Sequence, residues 1–176
     1  MANARLTDKT ALTEQVGSGD LLMVVDVNDT TGSSAGTSKK MDFKYLMQTD
    51  KISLSNAEAQ ALDSTPKTLV GALSGYMITV YQVTFLVSTP SGSESANKYM
   101  YMGYDGTVTT SYWAQHRGFM NGLSDDRAYT FAPLPPASGT IDGTLLNKPF
   151  VIWSSGAFTG DWTCDVYVTY AYTKVL

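Results

Sequence analysis

The sequence has little charge, one cysteine, one histidine and no long apolar run. Charged residues make up 16% of its 176 residues, and the formal net charge is -4. The electrostatic footprint of nucleic-acid binding is therefore missing, and we expect no nucleic-acid partner. No apolar stretch reaches the roughly 20 residues that span a bilayer, so we expect no membrane partner. The polar N-terminus lacks the apolar core of a signal peptide, which argues against secretion by that route.

Single copies of the reactive side chains limit the catalytic options. One cysteine, Cys164, excludes an intrachain disulfide and a cysteine-rich zinc site. Cys164 alternates with Trp162 and Val166, which predicts a core residue rather than a reactive thiol. A Ser-His-Asp or Cys-His arrangement would have to use His116, whose neighbours form no known nucleophile signature, and GxSxG is absent. We predict that the chain is no enzyme and has no catalytic residue, cofactor or metal.

The acidic residues raise two further hypotheses, a calcium-binding loop and a pair of acids for glycoside hydrolysis. Residues 26–29 resemble the start of a calcium loop, but Thr31 stands where an EF-hand needs glycine and Thr37 where it needs glutamate. A turn capped by Asx side chains explains this stretch equally well. Paired acids for glycoside hydrolysis stay open in principle, because spacing does not show whether two carboxylates converge. The candidates, all in turn-like or polar segments where solvated acids are ordinary, are Glu94, Asp105, Asp125, Asp126, Asp142, Asp161 and Asp165.

An apolar run, a polar turn and a second short run occupy residues 20–46. The first run, residues 21–25, ends at an Asp/Asn-rich stretch, and a Thr/Gly/Ser-rich turn covers residues 30–38. This pattern predicts a β-hairpin with a long loop. Two strands are marginal alone, so the apolar side needs a partner. We predict a docking surface formed by Leu21, Leu22, Val24, Val25, Lys39, Lys40 and Phe43.

Two short helices are predicted after the hairpin, forming a connector over residues 51–76. Ser55 and Glu58 have the spacing of a capping box at the start of the first helix. Thr65 and Pro66 are typical of the start of a second helix, and Gly75 of its end. Its apolar stripe would be Leu69, Val70 and Leu73. The extended arm and hairpin before this connector form an N-terminal segment over residues 1–50.

The last hundred residues, 77–176, have the pattern of a β domain. Among the aromatic residues only Phe43, Tyr45 and Tyr76 precede residue 77. Alternating apolar and polar positions predict strands at residues 77–88 and from residue 162 to the C-terminal end. Further strands are predicted at 98–104, 107–112, 127–131 and 145–153. Gly- and Pro-rich turns separate them, which predicts a mainly β chain ending in an antiparallel, jelly-roll-like β-sandwich.

The stretch of residues 113–126 has no clear pattern and is predicted to be a loop. Trp113 is the tryptophan beside it, and exposed aromatic rings can stack on sugars. Trp113, His116 and Arg117 are therefore the candidate surface recognition loop. A core or subunit-interface position remains the alternative for the tryptophans.

The first 50 residues resemble an N-terminal segment of tailed-bacteriophage fibre, tailspike and head-fibre proteins. The residues that carry this resemblance are Leu12-Thr13, residues 19–26 (GDLLMVVD), residues 36–40 (GTSKK) and Leu46. In that group such a segment precedes an appended display domain. The resemblance implies a virion protein, assembled in the host cytoplasm, whose N-terminal segment docks on the particle.

Two functions follow from this resemblance. The first is a structural protein of the virion, a short head fibre or a capsid decoration protein. The partners would be further copies of the chain, in a homotrimer, and the major capsid protein or a neck or tail component. The alternative is a tail fibre, an adaptor or a receptor-binding module of the tail that takes a host surface glycan.

Overall fold

A computed structural model of the chain describes residues 21–42, 46–91, 94–104, 112–132 and 145–174. The chain divides into two compact units, Met1–Tyr45 and Leu46–Leu176. In the described part of the first unit, strands β1 (Leu21–Asp26) and β2 (Thr37–Asp42) pair antiparallel from Leu21↔Asp42 to Asp26↔Thr37. The predicted hairpin is confirmed, with the turn ending before Thr37.

The described part of the second unit contains eight strands and one short helix. They are β3 (Gln48–Leu54), α1 (Asn56–Gln60), β4 (Lys67–Val70), β5 (Tyr76–Ser91), β6 (Tyr99–Tyr104), β7 (Tyr112–Arg117), β8 (Arg127–Phe131), β9 (Phe150–Ser154) and β10 (Asp161–Lys174). One sheet has the order β3-β10-β5-β8 and the other β4-β9-β6-β7, and all their pairs are antiparallel. Counted within this unit, the first strand (β3) pairs with the last (β10), the second strand with the seventh, the third with the sixth and the fourth with the fifth. This nesting is the jelly-roll plan, in agreement with the predicted antiparallel β-sandwich.

The core lies between the two sheets. Alternation along β10 buries Trp162, Cys164, Val166, Val168 and Tyr170, as the sequence pattern predicts. Side chains from β5, β6 and β9 complete the same apolar cluster. Because each strand turns every second residue inward, two four-stranded sheets enclose one continuous core. The core position predicted for Cys164 is confirmed.

The alternation along β5 changes at one position. In the sequence Tyr81 is in step with Val83 and Phe85, which predicts one shared face, but Tyr81 is 47% exposed, whereas those two are fully buried. The pairing with β10 skips Tyr81, because Thr169 pairs with Gln82 and the next residue pairs with Val80. A β-bulge adds one unpaired residue and so exchanges the inward and outward positions on its two sides.

The predicted two-helix connector is wrong, since residues 51–76 contain one short helix together with the end of β3, all of β4 and the first residue of β5. The expected second helix is strand β4, where Thr68 pairs with Val151 and Val70 with Phe150 of β9. At the start of the same segment, Lys51 and its neighbours on β3 pair with β10. Tertiary strand pairing overrides a weak local helix preference, since propensity contributes only tenths of a kcal/mol per residue.

The first predicted helix is present, although it is short. The Ser55 hydroxyl accepts from the backbone N–H of Glu58, and the Ser55 N–H donates to the Glu58 carboxylate at 2.9 Å. The capping box is therefore confirmed. The helix, α1, ends at Gln60.

The other strand predictions are met to different extents. Three strands agree closely: residues 98–104 with β6, 127–131 with β8 and the final strand with β10. The strand predicted at 145–153 begins five residues later, at Phe150. Of the strand predicted at 107–112, only Tyr112 lies within the described residues.

Candidate docking surface

The β1–β2 hairpin presents apolar side chains on both of its faces. Leu22 is 37% exposed and Val24 is half-buried on one face, whereas Met23 and Val25 are 74% and 56% exposed on the other. Val27, just past the end of β1, is 69% exposed. Successive side chains of a strand point to opposite faces, so a two-stranded ribbon cannot bury both sets by itself.

The loop between the strands is tied by its own polar groups. The Asp26 carboxylate accepts from the Asn28 N–H at 3.1 Å, and the Asp29 carboxylate accepts from the Thr31 N–H at 3.0 Å. The Thr37 hydroxyl accepts from the N–H of Gly32 at 2.9 Å. These are the Asx-type turns that Asp favours, and they give the long loop a defined shape.

Gly36 closes this loop where only glycine fits. Its φ is +116°, and a Cβ there would lie 2.7 Å from the carbonyl oxygen of Asp26 and 2.8 Å from a methyl of Val25. Side chains rarely adopt such a φ, and the contacts leave no room for one. The approach of the loop to β1 therefore depends on glycine at this position.

Lys39 bridges the two acids of the loop. Its ammonium lies 2.8 Å from Asp26 and 2.9 Å from Asp29. The hydrogen bond from Lys39 lowers the pKa of Asp26, and bonds from Thr31 and then Lys39 lower the pKa of Asp29 to about 2. The pKa of Lys39 is raised by the same two carboxylates. A lysine ammonium thus lies between the two acids that resembled the start of a calcium loop.

The register of β1 and β2 places the predicted docking residues on two different faces of the hairpin. Leu22, Val24 and Lys39 lie on one face of the hairpin, and Val25 and Lys40 on the other. Leu21 begins β1, and Phe43 lies outside the described residues.

Met23 is an exposed residue of the hairpin that the sequence prediction omits. Strand alternation in the sequence could have identified Met23, because residues two apart in β1 share a face and Met23 therefore lies on the same face as Val25.

The predicted recognition loop is strand β7, which contains Trp113, His116 and Arg117. Trp113 is only 7% exposed and packs edge-on against Phe150 at 5.6 Å between ring centroids. Arg117 is exposed and lies 5.9 Å from the ring centroid of Tyr99. The predicted loop position is thus wrong, and the indole of Trp113 serves the core.

His116 packs into an aromatic cluster at the edge of the sandwich. Its ring centroid lies 5.2 Å from that of Tyr129 and 6.0 Å from those of Phe119 and Phe131. Its Nδ1 is buried without a hydrogen-bond partner within the described residues. Burial lowers the pKa of His116, which favours the neutral imidazole.

Cys164 is also poorly suited to act as a nucleophile. Burial raises the pKa of its thiol to about 12, so the thiolate is not formed near neutral pH.

Among the described residues no group of three or more His, Cys, Asp or Glu side chains could hold a metal ion. In the same part of the chain, no helix has the length and apolar character needed to cross a membrane.

Glu94 is the acid whose environment the sequence does not reveal. Predicted to be an ordinary solvated acid, it is 1% exposed. Its oxygens accept from the N–H of Ala96, Thr159 and Gly160, the Thr159 hydroxyl and the indole of Trp162, at 2.7–3.2 Å. Burial raises its pKa, but these donors outweigh that effect and the pKa is lowered. Glu94 joins two loops of the sandwich and acts structurally.

No protein-family model matches the chain, and no curated protein sequence matches it. Solved structures with a similar backbone include a chain of the cyanophage Pam1 capsid asymmetric unit (14% identity, TM-score 0.39), covering 98% of this chain and 99% of that one. Another belongs to the acidic stable capsid of Helicobacter pylori bacteriophage KHP30 (11% identity, TM-score 0.42, coverage 89% and 99%). A cyclase from Fischerella sp. TAU has 11% identity, TM-score 0.32 and coverage of 89% and 100%. With TM-scores below 0.5, these likenesses carry no argument about function.

Proposed function

We propose that this chain is a non-enzymatic structural protein of a bacteriophage virion, a short head fibre or capsid decoration protein. The hairpin docks on the particle, and the jelly roll is displayed from it. The observation that carries this proposal is the exposure of Met23 and Val25, at 74% and 56%, on a two-stranded sheet. Exposed apolar side chains on a marginal sheet indicate an interaction surface.

The division of the chain into two compact units supports separate roles for the hairpin and the jelly roll. The second unit has its own core, from Leu54 to Tyr170, built from both of its sheets. None of the described hairpin residues belongs to that core, and we assign the exposed apolar side chains of the hairpin to another partner. The phage-like pattern at residues 19–26 and 36–40 supports a particle as that partner.

The described residues give less support to a sugar-binding role. All three tryptophans, Trp113, Trp153 and Trp162, are buried, so none presents an open indole face to a sugar ring. A tail fibre or adaptor role would use the same anchor and would differ in the part of the particle that is bound. Jelly rolls occur in both viral capsid proteins and lectins, so the fold alone does not distinguish a structural role from a sugar-binding one.

Incorporation into particles tests the proposal. Particles assembled in cells that express the full chain should retain it through purification, whereas a chain of residues 46–176 should remain in the soluble fraction. The melting temperature of the shortened chain should show that its jelly roll is folded. If residues 46–176 still join the particle, the anchor lies elsewhere. Imaging of labelled particles distinguishes capsid, neck and tail positions.

The proposal includes assembly into a homo-oligomer, with a trimer as the expected state. Sparse charge and many aromatic residues suit subunit contacts. Native mass measurement of the full chain should give a multiple of 19.0 kDa. A monomer alone at micromolar concentration would count against this part of the proposal.

A further inference from the structure

The two faces of the β1–β2 hairpin differ in charge. Pairing of Val24 with Lys39 and of Met23 with Lys40 places the two lysines on opposite faces. We call the face with Met23, Val25, Ser38 and Lys40 the open face.

The lysine of the other face is already paired. Lys39 lies within 2.9 Å of both Asp26 and Asp29. Lys39 therefore needs no further carboxylate from a partner. The apolar side chains of that face are also less exposed, since Leu22 is at 37% and Val24 is half-buried.

Lys40, in contrast, is exposed and has no ion pair within the part of the chain that the structure describes. It stands beside Met23, which at 74% is the most exposed large apolar side chain of the hairpin. Burying Met23 against a partner brings the Lys40 ammonium to the same interface. An ammonium removed from water without a partner is strongly disfavoured, so Lys40 requires a carboxylate opposite it wherever the interface buries its charge.

We infer that the open face is the docking face, and that its partner is a protein surface with an apolar strip beside a carboxylate that pairs with Lys40. This inference rests on the proposed docking function and names the chemistry of its partner. A lipid surface fits less well, because membrane-binding faces carry several cations and the open face has one. Complementary charge also fixes the register of docking, which apolar contact alone does not.

Binding of the full chain to purified particles tests this inference. Met23→Asp and Lys40→Glu should each weaken binding by about tenfold or more, and Lys40→Arg should retain it because the charge remains. The control is Lys174→Glu, which makes the same charge change at an exposed position of β10 in the second unit and should leave binding unchanged. Binding of the wild-type chain should weaken as salt is raised.

Each outcome separates the inference from the function on which it rests. Wild-type binding by Lys40→Glu together with loss in Met23→Asp would overturn the carboxylate partner while leaving docking by the hairpin intact. Wild-type binding by both variants would overturn the open face as the docking face, whereas wild-type binding by residues 46–176 would overturn the docking function itself. Loss of binding in Lys40→Arg equal to that in Lys40→Glu would also overturn the inference, because charge would then not be what the partner recognises.

A chemical crosslink gives a second readout that does not depend on a variant. A carbodiimide joins an amine to a carboxylate that lies in contact with it. Treated complexes should yield a peptide containing Lys40 joined to an Asp or Glu of a particle protein. Crosslinks from other lysines of the chain without any from Lys40 would overturn the inference. Tight binding to vesicles of equal parts phosphatidylcholine and phosphatidylserine would also overturn it, in favour of a membrane.

Discussion

The indole N–H of Trp162 donates a hydrogen bond of 3.1 Å to the carboxylate of Glu94, and both side chains are 1% exposed. Glu94 follows β5 and Trp162 lies on β10, so the bond ties a loop to the central strand pair of one sheet. Buried charge without a cation is costly unless hydrogen bonds replace the lost water. Both oxygens of Glu94 accept from several donors.

Glu94→Gln should lower the free energy of unfolding by about 3 kcal/mol, because the amide N–H₂ would face donors and leave them unpaired. Chemical denaturation of the full chain measures the change. The matched control is Asp125→Asn, at an exposed position, which should change stability by about 0.5 kcal/mol or less. Equal stability of Glu94→Gln and the wild type would contradict the structural role.

Acid should destabilise the second unit through the same carboxylate. The pKa of Glu94 is lowered below its ordinary value of 4.5 in the folded chain. Its contribution is therefore present above the unfolded pKa of 4.5 and is lost as the pH falls through the lower, folded value. Denaturation curves at neutral pH and at pH values below 4.5 should show this loss, and Glu94→Gln should show a smaller one. The same pH dependence in both proteins would argue against Glu94 as its source.

Phe85 and Leu86 are neighbours on β5 with opposite surroundings. Phe85 is fully buried, with ring centroids 5.5 Å from Phe119 and 5.7 Å from Phe131, and Leu86 is 44% exposed. Phe85→Ala should cost about 3–5 kcal/mol through lost burial and a cavity. Leu86→Ala, the control, should cost much less. Thermal melting of both variants tests this, and similar losses would contradict the assignment of inward and outward positions.

Gly36→Ala should disrupt the hairpin while leaving the second unit intact. An added Cβ meets the carbonyl oxygen of Asp26 at 2.7 Å, and the φ of +116° is strained for any other residue. Particle binding should fall, whereas the melting temperature of the second unit should stay unchanged. Gly71→Ala is the control, because a Cβ there meets nothing within 4 Å. Undiminished particle binding by Gly36→Ala would show that docking does not need this loop geometry.

Ser55→Ala should cost about 1 kcal/mol, since it removes the acceptor for the Glu58 N–H at the start of α1. Denaturation of the second unit measures the loss. The exposed Ser74 provides a control, and Ser74→Ala should have no measurable effect. A loss no greater than that of Ser74→Ala would show that the capping box adds no stability.

Local patterns determined the features that depend on near neighbours. Alternation along residues 162–170 was sufficient to place Cys164 in the core, because a strand turns every second side chain inward wherever it pairs. The spacing of Ser55 and Glu58 was sufficient for the capping box, because both of its bonds lie within one turn. The hairpin likewise followed from two short apolar runs and the polar residues between them.

Only the tertiary structure decided the features that depend on distant pairing. Strand β4 replaced a predicted helix because β9, some 80 residues later, offers it a partner. Glu94 became a buried acceptor because Trp162 and its neighbours bring their donors from far along the chain. For the hairpin, the sequence pattern predicted a single docking surface that contains both Lys39 and Lys40. Cross-strand register set them on opposite faces, and the acids near Lys39 pair with it, whereas Lys40 on the open face has no ion pair among the residues that the structure describes.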